Sequence, residues 1–174
     1  VFHPSPLASV IDLETTHCSN YIRRFVEGRF TEKENKAVGF PWSPQSVNRA
    51  LSSVGGTIAA THSVCRDECL VSAHIAGGTH HAFYDYGEGF CVFSDIAVAA
   101  RVALRDYPTK IRKVLIIDLD VHQGNGNAAL FHDDPNVFTF SMHCRQNIFS
   151  ERKYSNYDVE VEAGCGDGEY LRLL

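Results

Sequence analysis

The chain has 174 residues, 44% of them hydrophobic, and its 16 basic residues stand against 21 acidic ones. This length and apolar content suit one folded domain with its own core. The acidic balance, without a lysine or arginine cluster, argues against nucleic-acid binding, and no apolar run approaches the ~20 residues of a membrane helix. The six cysteines follow no regular framework, which predicts thiols in a reducing compartment.

The sequence of the first third of the chain indicates mainly helices. Apolar spacing predicts a helix over 17–27, and the polar residues 31–36 predict a loop. Another helix begins at Ser43-Pro44, since serine caps helix N-termini and proline fits the first helical position. An apolar stripe runs along this helix at Val47, Leu51, Val54 and Ile58, with Gly55-Gly56 permitting close packing.

Strands and helices alternate from residue 70 onwards, which is typical of βαβ units and a parallel sheet. Strands are predicted over 70–76, 114–119 (the central strand) and 137–142. Ser94-Asp95 caps one intervening helix, and a short helix is predicted over 128–131. The polar sequences that follow the three strands should meet at one sheet edge, where open α/β folds bind ligands.

The most informative stretch is Asp118-Leu119-Asp120-Val121-His122, which follows an apolar run. Side chains alternate in an extended chain, so Asp118, Asp120 and His122 should share one face. Two carboxylates and an imidazole are costly to bury together without a partner, and a divalent cation is the simplest partner. The alternative is a strand end with solvated acids; the added histidine favours the metal site.

Two glycine-bracketed turns carry further candidates. His80 and His81 are adjacent in the first turn, and neutral histidine is a natural general base whose basicity a carboxylate such as Asp118 can tune. Alone, this pair would fit two surface histidines; beside the Asp/His strand it favours catalysis. Phe90, in the second turn, fits a substrate-channel wall and, almost equally, an ordinary core position. His143 is interpreted as structural, and His17 receives no role.

Along the chain, the histidine pair comes first, then the Gly89-Phe90 turn, then the Asp118–His122 stretch. These motifs in this order resemble the zinc-dependent histone deacetylases, and most closely the class IV branch and its bacterial relatives. The resemblance covers about residues 39–170, and it includes Gln123 and Asn125 after the metal histidine and the segment Phe40–Pro44. It implies a three-layer arginase/deacetylase-like α/β fold with a central parallel sheet. Residues 1–174 would then form a single, partial catalytic domain.

The resemblance implies a role for each matching residue. Asp120 and His122 match two of the three zinc ligands, and ferrous iron suits the same donors. His81 matches the general base and His80 an electrostatic assistant, while Asp118 supports His80.

Other positions match the surroundings of that centre. Asp118 and Ser141 border a structural K⁺ site, and Gly89 and Phe90 line the acyl-lysine channel. Asn125 stands where many relatives carry an aspartate beside the second histidine.

The implied activity is hydrolysis of acyl-lysine in histones or other proteins, by a metal-activated water whose proton His81 removes. Implied partners are acylated lysine side chains and protein complexes, without direct nucleic-acid or membrane contact, in the nucleus or cytoplasm. The family's third ligand, an aspartate, and its oxyanion-binding tyrosine have no match here, nor does its first strand. We therefore expect a fragment or shortened isoform with little activity of its own.

Three alternatives stay open. The chain could be a catalytically inactive isoform that binds partners or regulates a relative. An acetylpolyamine amidohydrolase is a closer rival within the superfamily. A ureohydrolase ranks lower, because its two-manganese site needs a second Asp-x-Asp cluster that this sequence lacks.

Overall fold

The computed structural model describes residues 2–174, and the chain divides into two compact units, Val1–Arg112 and Lys113–Leu174. The helices of the first unit are α1 (Val10–Leu13), α2 (Ser19–Val26), α3 (Glu32–Val38), α4 (Pro44–Cys65) and α5 (Asp95–Asp106). The elements of the second unit are β1 (Val114–Asp118), α6 (Asn125–Leu130), β2 (Val137–Cys144), β3 (Tyr157–Val161) and α7 (Asp167–Leu173).

Helix α4 begins where its sequence predicts. The Ser43 hydroxyl accepts the Ser46 N–H at 3.0 Å, and the Ser46 hydroxyl accepts the Ser43 N–H at 2.9 Å, with Pro44 at the first helical position. The predicted stripe packs into the core of the first unit through Val47, Leu51, Val54 and Ile58. A Cβ on Gly55 would lie 2.1 Å from the Pro6 carbonyl oxygen, so the predicted close packing at this glycine is confirmed.

Two predictions for the first unit are wrong. Residues 31–36 are not a loop, because Thr31 and Glu34 form a capping box that starts α3, and Gly39 ends it with φ 93°. Residues 70–76 are not a strand: Leu70 is 97% exposed, and Ile75 is 83% exposed. An isolated strand is not stable without a paired neighbour, and none of the described strands is paired with this segment.

His17 is buried in the first unit and joins two of its loops. Its Nδ1 lies 2.8 Å from the Phe83 carbonyl oxygen, and its Nε2 accepts the Ser94 N–H at 3.0 Å. Nδ1 therefore carries the proton and the ring is neutral. The ring also contacts Phe93, with centroids 5.3 Å apart. His17 thus helps to hold the N-terminus of α5, a role that the sequence does not indicate.

We expect acid to destabilise the fold through His17. Burial lowers the pKa of His17 from 6.5 to about 4, so the unfolded chain takes up this proton below pH 6.5 and the native chain only near pH 4. Above pH 6.5 the neutral ring makes its full contribution to the free energy of unfolding. This contribution is lost as the pH falls toward 4, and at pH 5 the free energy of unfolding should be lower by about 2 kcal/mol.

Urea unfolding at pH 7.5 and pH 5 measures this loss. His17→Gln should be less stable at pH 7.5 and should show a smaller acid loss than the parent chain, whereas replacing the exposed His3 by Gln should leave the loss unchanged. Equal acid losses in the parent and in His17→Gln would contradict the assignment.

The second unit contains a parallel three-stranded sheet in the order β1-β2-β3. The unit β1-α6-β2 confirms the predicted βαβ organisation. Two details differ from prediction: β1 ends at Asp118, and it is an edge strand of the described sheet rather than a central one. The apolar run Val114–Ile117 predicts a buried strand, but Leu115 and Ile117 are more than half exposed, so one face of β1 is open.

The sequence predicts neither a membrane helix nor a disulfide framework. Among residues 2–174, no helix combines the length and apolarity that a bilayer crossing requires. Over the same residues the six cysteines are thiols without a disulfide.

Candidate metal and catalytic site

Asp120 and His122 bring their side chains together just after β1. The chain bends there instead of remaining extended, because Asp118 Oδ1 accepts the Asp120 N–H at 3.1 Å and Asp120 Oδ1 accepts the His122 N–H at 2.8 Å. Asp120 Oδ1 lies 3.0 Å from His122 Nδ1. The two side chains therefore converge as expected, although two successive turns, and not strand alternation, produce the convergence.

This pair suits a transition metal by its donor chemistry. A carboxylate oxygen and an imidazole nitrogen are ligands that zinc and ferrous iron both accept. The Asp120 and His122 side chains are 49% and 36% exposed, so an ion can reach them from solvent. Within residues 2–174, no group of three or more His, Cys, Asp or Glu side chains could hold a metal. The pair thus supplies one ligand fewer than the usual three of a catalytic zinc site.

Ser141 lies beside Asp118 across the β1–β2 pair, as the K⁺-site prediction requires. Its hydroxyl is 2.9 Å from His143 Nδ1. Ser141 and His143 both lie inside β2, because this strand continues to Cys144, two residues beyond its predicted end at residue 142. Burial lowers the pKa of His143, which keeps this ring neutral. Cation binding at Asp118 and Ser141 stays a prediction.

The paired histidines belong to the first unit and are buried. His80 is 6% exposed and His81 is 4% exposed, and their ring centroids are 4.0 Å apart. The alternative of two surface histidines in a turn is therefore wrong. Because residues 70–76 are a loop, the pair does not follow a strand as expected. Its approach to Asp120 and His122 stays a prediction.

Asp95 anchors the turn that carries these histidines. Its Oδ1 accepts the Thr79 N–H at 2.8 Å, and its Oδ2 accepts the Gly78 N–H at 3.2 Å and the Thr57 hydroxyl at 2.6 Å. Asp95 is 2% exposed, so these bonds form in a low-dielectric interior. The sequence marks Asp95 only as a helix start, because its turn partners are distant in the chain.

Phe90 is held in a strained conformation on the surface of the first unit. Its φ is 67°, which is rare for a bulky residue. The Phe90 N–H donates to the Val38 carbonyl at 2.8 Å, and the Gly89 N–H donates to the Ala37 carbonyl at 3.1 Å. The side chain is 67% exposed, so the core interpretation is wrong. A wall position in a substrate channel stays a prediction.

The model of the histone deacetylase domain matches residues 2–174. This chain belongs to the histone deacetylase family. It is 43% identical over 162 residues to an uncharacterized Picosynechococcus protein, covering 93% of this chain and 53% of that protein. Histone deacetylase 2 of Arabidopsis thaliana is 31% identical over 176 residues, covering 96% of this chain and 44% of that enzyme.

A crystal structure of a histone deacetylase homologue from Aquifex aeolicus has the same fold. Its TM-score with this chain is 0.75 at 24% identity, covering 97% of this chain and 50% of the homologue. The predicted arginase/deacetylase-like α/β fold is thereby confirmed. The chain spans about half the length of each of these three proteins.

In this deacetylase-family chain a further side chain contacts His122, and Asn125, three residues along the chain, is buried. Phe149, on the connection between β2 and β3, sets its ring edge-on to His122 with centroids 5.5 Å apart and planes at 82°. No local sequence signal marks Phe149, because the contact forms only through tertiary structure. Asn125 is 4% exposed, and its Nδ2 donates to the Glu151 carbonyl oxygen at 3.4 Å.

Proposed function

We propose that this chain carries part of the catalytic centre of a metal-dependent lysine deacylase of the class IV type. The observation that supports this most directly is the 3.0 Å approach of Asp120 Oδ1 to His122 Nδ1 in a chain of this family. The proposed substrates are acylated lysine side chains of histones or other proteins. Gly89 and Phe90 are proposed to border the channel that admits the acyl-lysine.

The chain's own residues would bind the metal and transfer the protons of the reaction. Asp120 and His122 hold zinc or ferrous iron, which when bound polarises the amide carbonyl and acidifies a water molecule. His81 accepts the proton of the attacking water. The lysine amine then leaves with a proton returned by a histidine, and no covalent enzyme intermediate forms.

The burial of the histidine pair supports this assignment. Two imidazolium rings with centroids 4.0 Å apart in a buried turn would repel each other strongly. A neutral imidazole in this pair can act as a base, and its neighbour can assist electrostatically. We assign the base to His81 and the assisting position to His80. Asp118 is proposed to support His80 and, with Ser141, to border a K⁺ ion.

The two-donor site favours a second candidate function. Among residues 2–174, no group of three or more His, Cys, Asp or Glu side chains could hold a metal. A chain with a weak metal site can still bind a partner without turnover. The complete open reading frame separates the two candidates. A continuation with an aspartate-bearing strand and a Gly-Gly-Tyr segment supports the enzyme, whereas a stop codon after Leu174 supports the binding protein.

Hydrolysis of an acetyl-lysine peptide by the protein from the complete open reading frame tests the function. We expect turnover that a chelator stops and added zinc restores. The 174-residue chain should be slower by about 100-fold or more, because loss of an oxyanion donor alone costs ~10²–10³ in rate. Turnover that persists after complete metal removal would contradict the proposal. Parallel assays with an acetylated polyamine test the closest rival substrate.

A further inference from the structure

Gln123 follows His122 directly, and its side chain fastens the connection between β2 and β3, residues 145–156. Its Nε2 donates to the Lys153 carbonyl oxygen at 2.6 Å and to Asp158 Oδ1 at 3.1 Å. Its Oε1 accepts the Lys153 N–H at 3.2 Å. The side-chain amide therefore pairs with the Lys153 backbone as a neighbouring strand would, using both its donor and its acceptor sides.

The orientation of this amide follows from its partners. Reversing it would set the Gln123 oxygen against the Lys153 carbonyl and the Asp158 carboxylate, which are both acceptors. Asp158 is itself held in place, since its Oδ2 accepts the Ser155 N–H at 2.9 Å. The position thus requires an uncharged side chain that donates and accepts, and a carboxylate of the same shape cannot replace it.

The fastened connection carries Phe149, whose ring contacts His122 edge-on. The connection also carries ion pairs, such as Arg145 with Glu160 at 3.0 Å, but these side chains are 55% and 28% exposed, so solvent screens the pair. The Gln123 bonds are half-buried and join the connection to the residue after the proposed metal ligand.

We propose that Gln123 is a positioning residue that keeps Phe149 against His122 and so shapes the approach of the acyl group. The effect on the acyl group rests on the proposed function, whereas the hydrogen bonds that hold residues 145–156 to Gln123 do not depend on it. The two parts can therefore fail separately.

Hydrogen–deuterium exchange of the 174-residue chain tests the fastening. Gln123→Ala should accelerate exchange in peptides of 145–156 by about tenfold or more, because the Lys153 amide loses its acceptor. Exchange in β2 should stay within about twofold of the parent, which a general loss of stability would not allow. Replacing the exposed Gln45 of α4 by Ala is the matched control.

Isosteric variants sharpen this test. Gln123→Glu should accelerate exchange as strongly as Gln123→Ala, and adding Asp158→Asn to Gln123→Glu should reverse part of the effect by restoring one donor–acceptor pair. Unchanged exchange in 145–156, or equal acceleration there and in β2, would overturn the inference.

Kinetics on the protein from the complete open reading frame test the positioning. Gln123→Ala should raise KM for an acetyl-lysine peptide by about tenfold and change kcat by less than about threefold, because it disturbs binding more than chemistry. A kcat that falls with an unchanged KM would overturn the positioning role. If the parent protein shows no hydrolysis, the proposed function fails, and the exchange data still decide whether Gln123 fastens the connection.

Discussion

In the protein from the complete open reading frame, His122→Ala should abolish metal-dependent deacetylation. In the 174-residue chain, it should lower zinc affinity by more than the ~10–100-fold that removal of an outer-shell partner costs. The described chain supplies only two converging donors, Asp120 and His122, so removing the imidazole leaves a single carboxylate. Asp120→Ala should have an effect of the same order, because it removes the other donor.

The chain contains a matched control for this experiment. His132 and Asp133 form an exposed pair in the same unit, with His132 Nε2 3.9 Å from Asp133 Oδ1. His132→Ala should leave zinc affinity and activity unchanged, while thermal unfolding verifies that each variant is folded. Equal zinc affinity in the parent and in His122→Ala, measured by competition with a chromophoric chelator, would contradict the assignment.

Replacing His81 by alanine should lower kcat/KM for acyl-lysine hydrolysis by about 10²–10⁴-fold, the usual contribution of a positioned general base. His81 is buried beside His80 in the turn that Asp95 anchors, so the ring is fixed before substrate binds. Zinc content should stay at the parent level, because His81 is not a proposed ligand.

This retained zinc content distinguishes loss of the base from loss of the metal. Because alanine leaves a cavity at a buried position, His81→Gln provides a second variant of similar volume. A His81→Gln variant that is folded, loaded with zinc and fully active would remove His81 from the mechanism.

Local sequence signals predicted helix α4 and the β1-α6-β2 unit. Helix α4 follows from Ser43-Pro44 and its apolar stripe, and β1-α6-β2 follows from apolar runs that alternate with glycine-rich turns. The capping box of α3, Thr-x-x-Glu, is also local, but the polar composition of residues 31–36 led to a loop prediction. The segment 70–76 has the composition of a strand, yet strand formation depends on a partner that its sequence does not reveal.

In the candidate site, too, contacts between residues close in sequence could be predicted and contacts between separate elements could not. Asp120 and His122 are close in sequence, so their convergence could be expected, although turns and not an extended strand bring it about. The contribution of Asp95 to the histidine turn could not be predicted, and neither could the contact of Phe149 with His122, because each joins residues on separate elements. Such contacts are properties of the tertiary fold.

X-ray absorption at the zinc edge of the metal-loaded protein tests the central claim most directly. The account predicts a first shell of nitrogen and oxygen ligands with an imidazole contribution, which disappears in the Asp120→Ala/His122→Ala double variant. A shell dominated by sulfur from the cysteines, or one that is unchanged in the double variant, would contradict it.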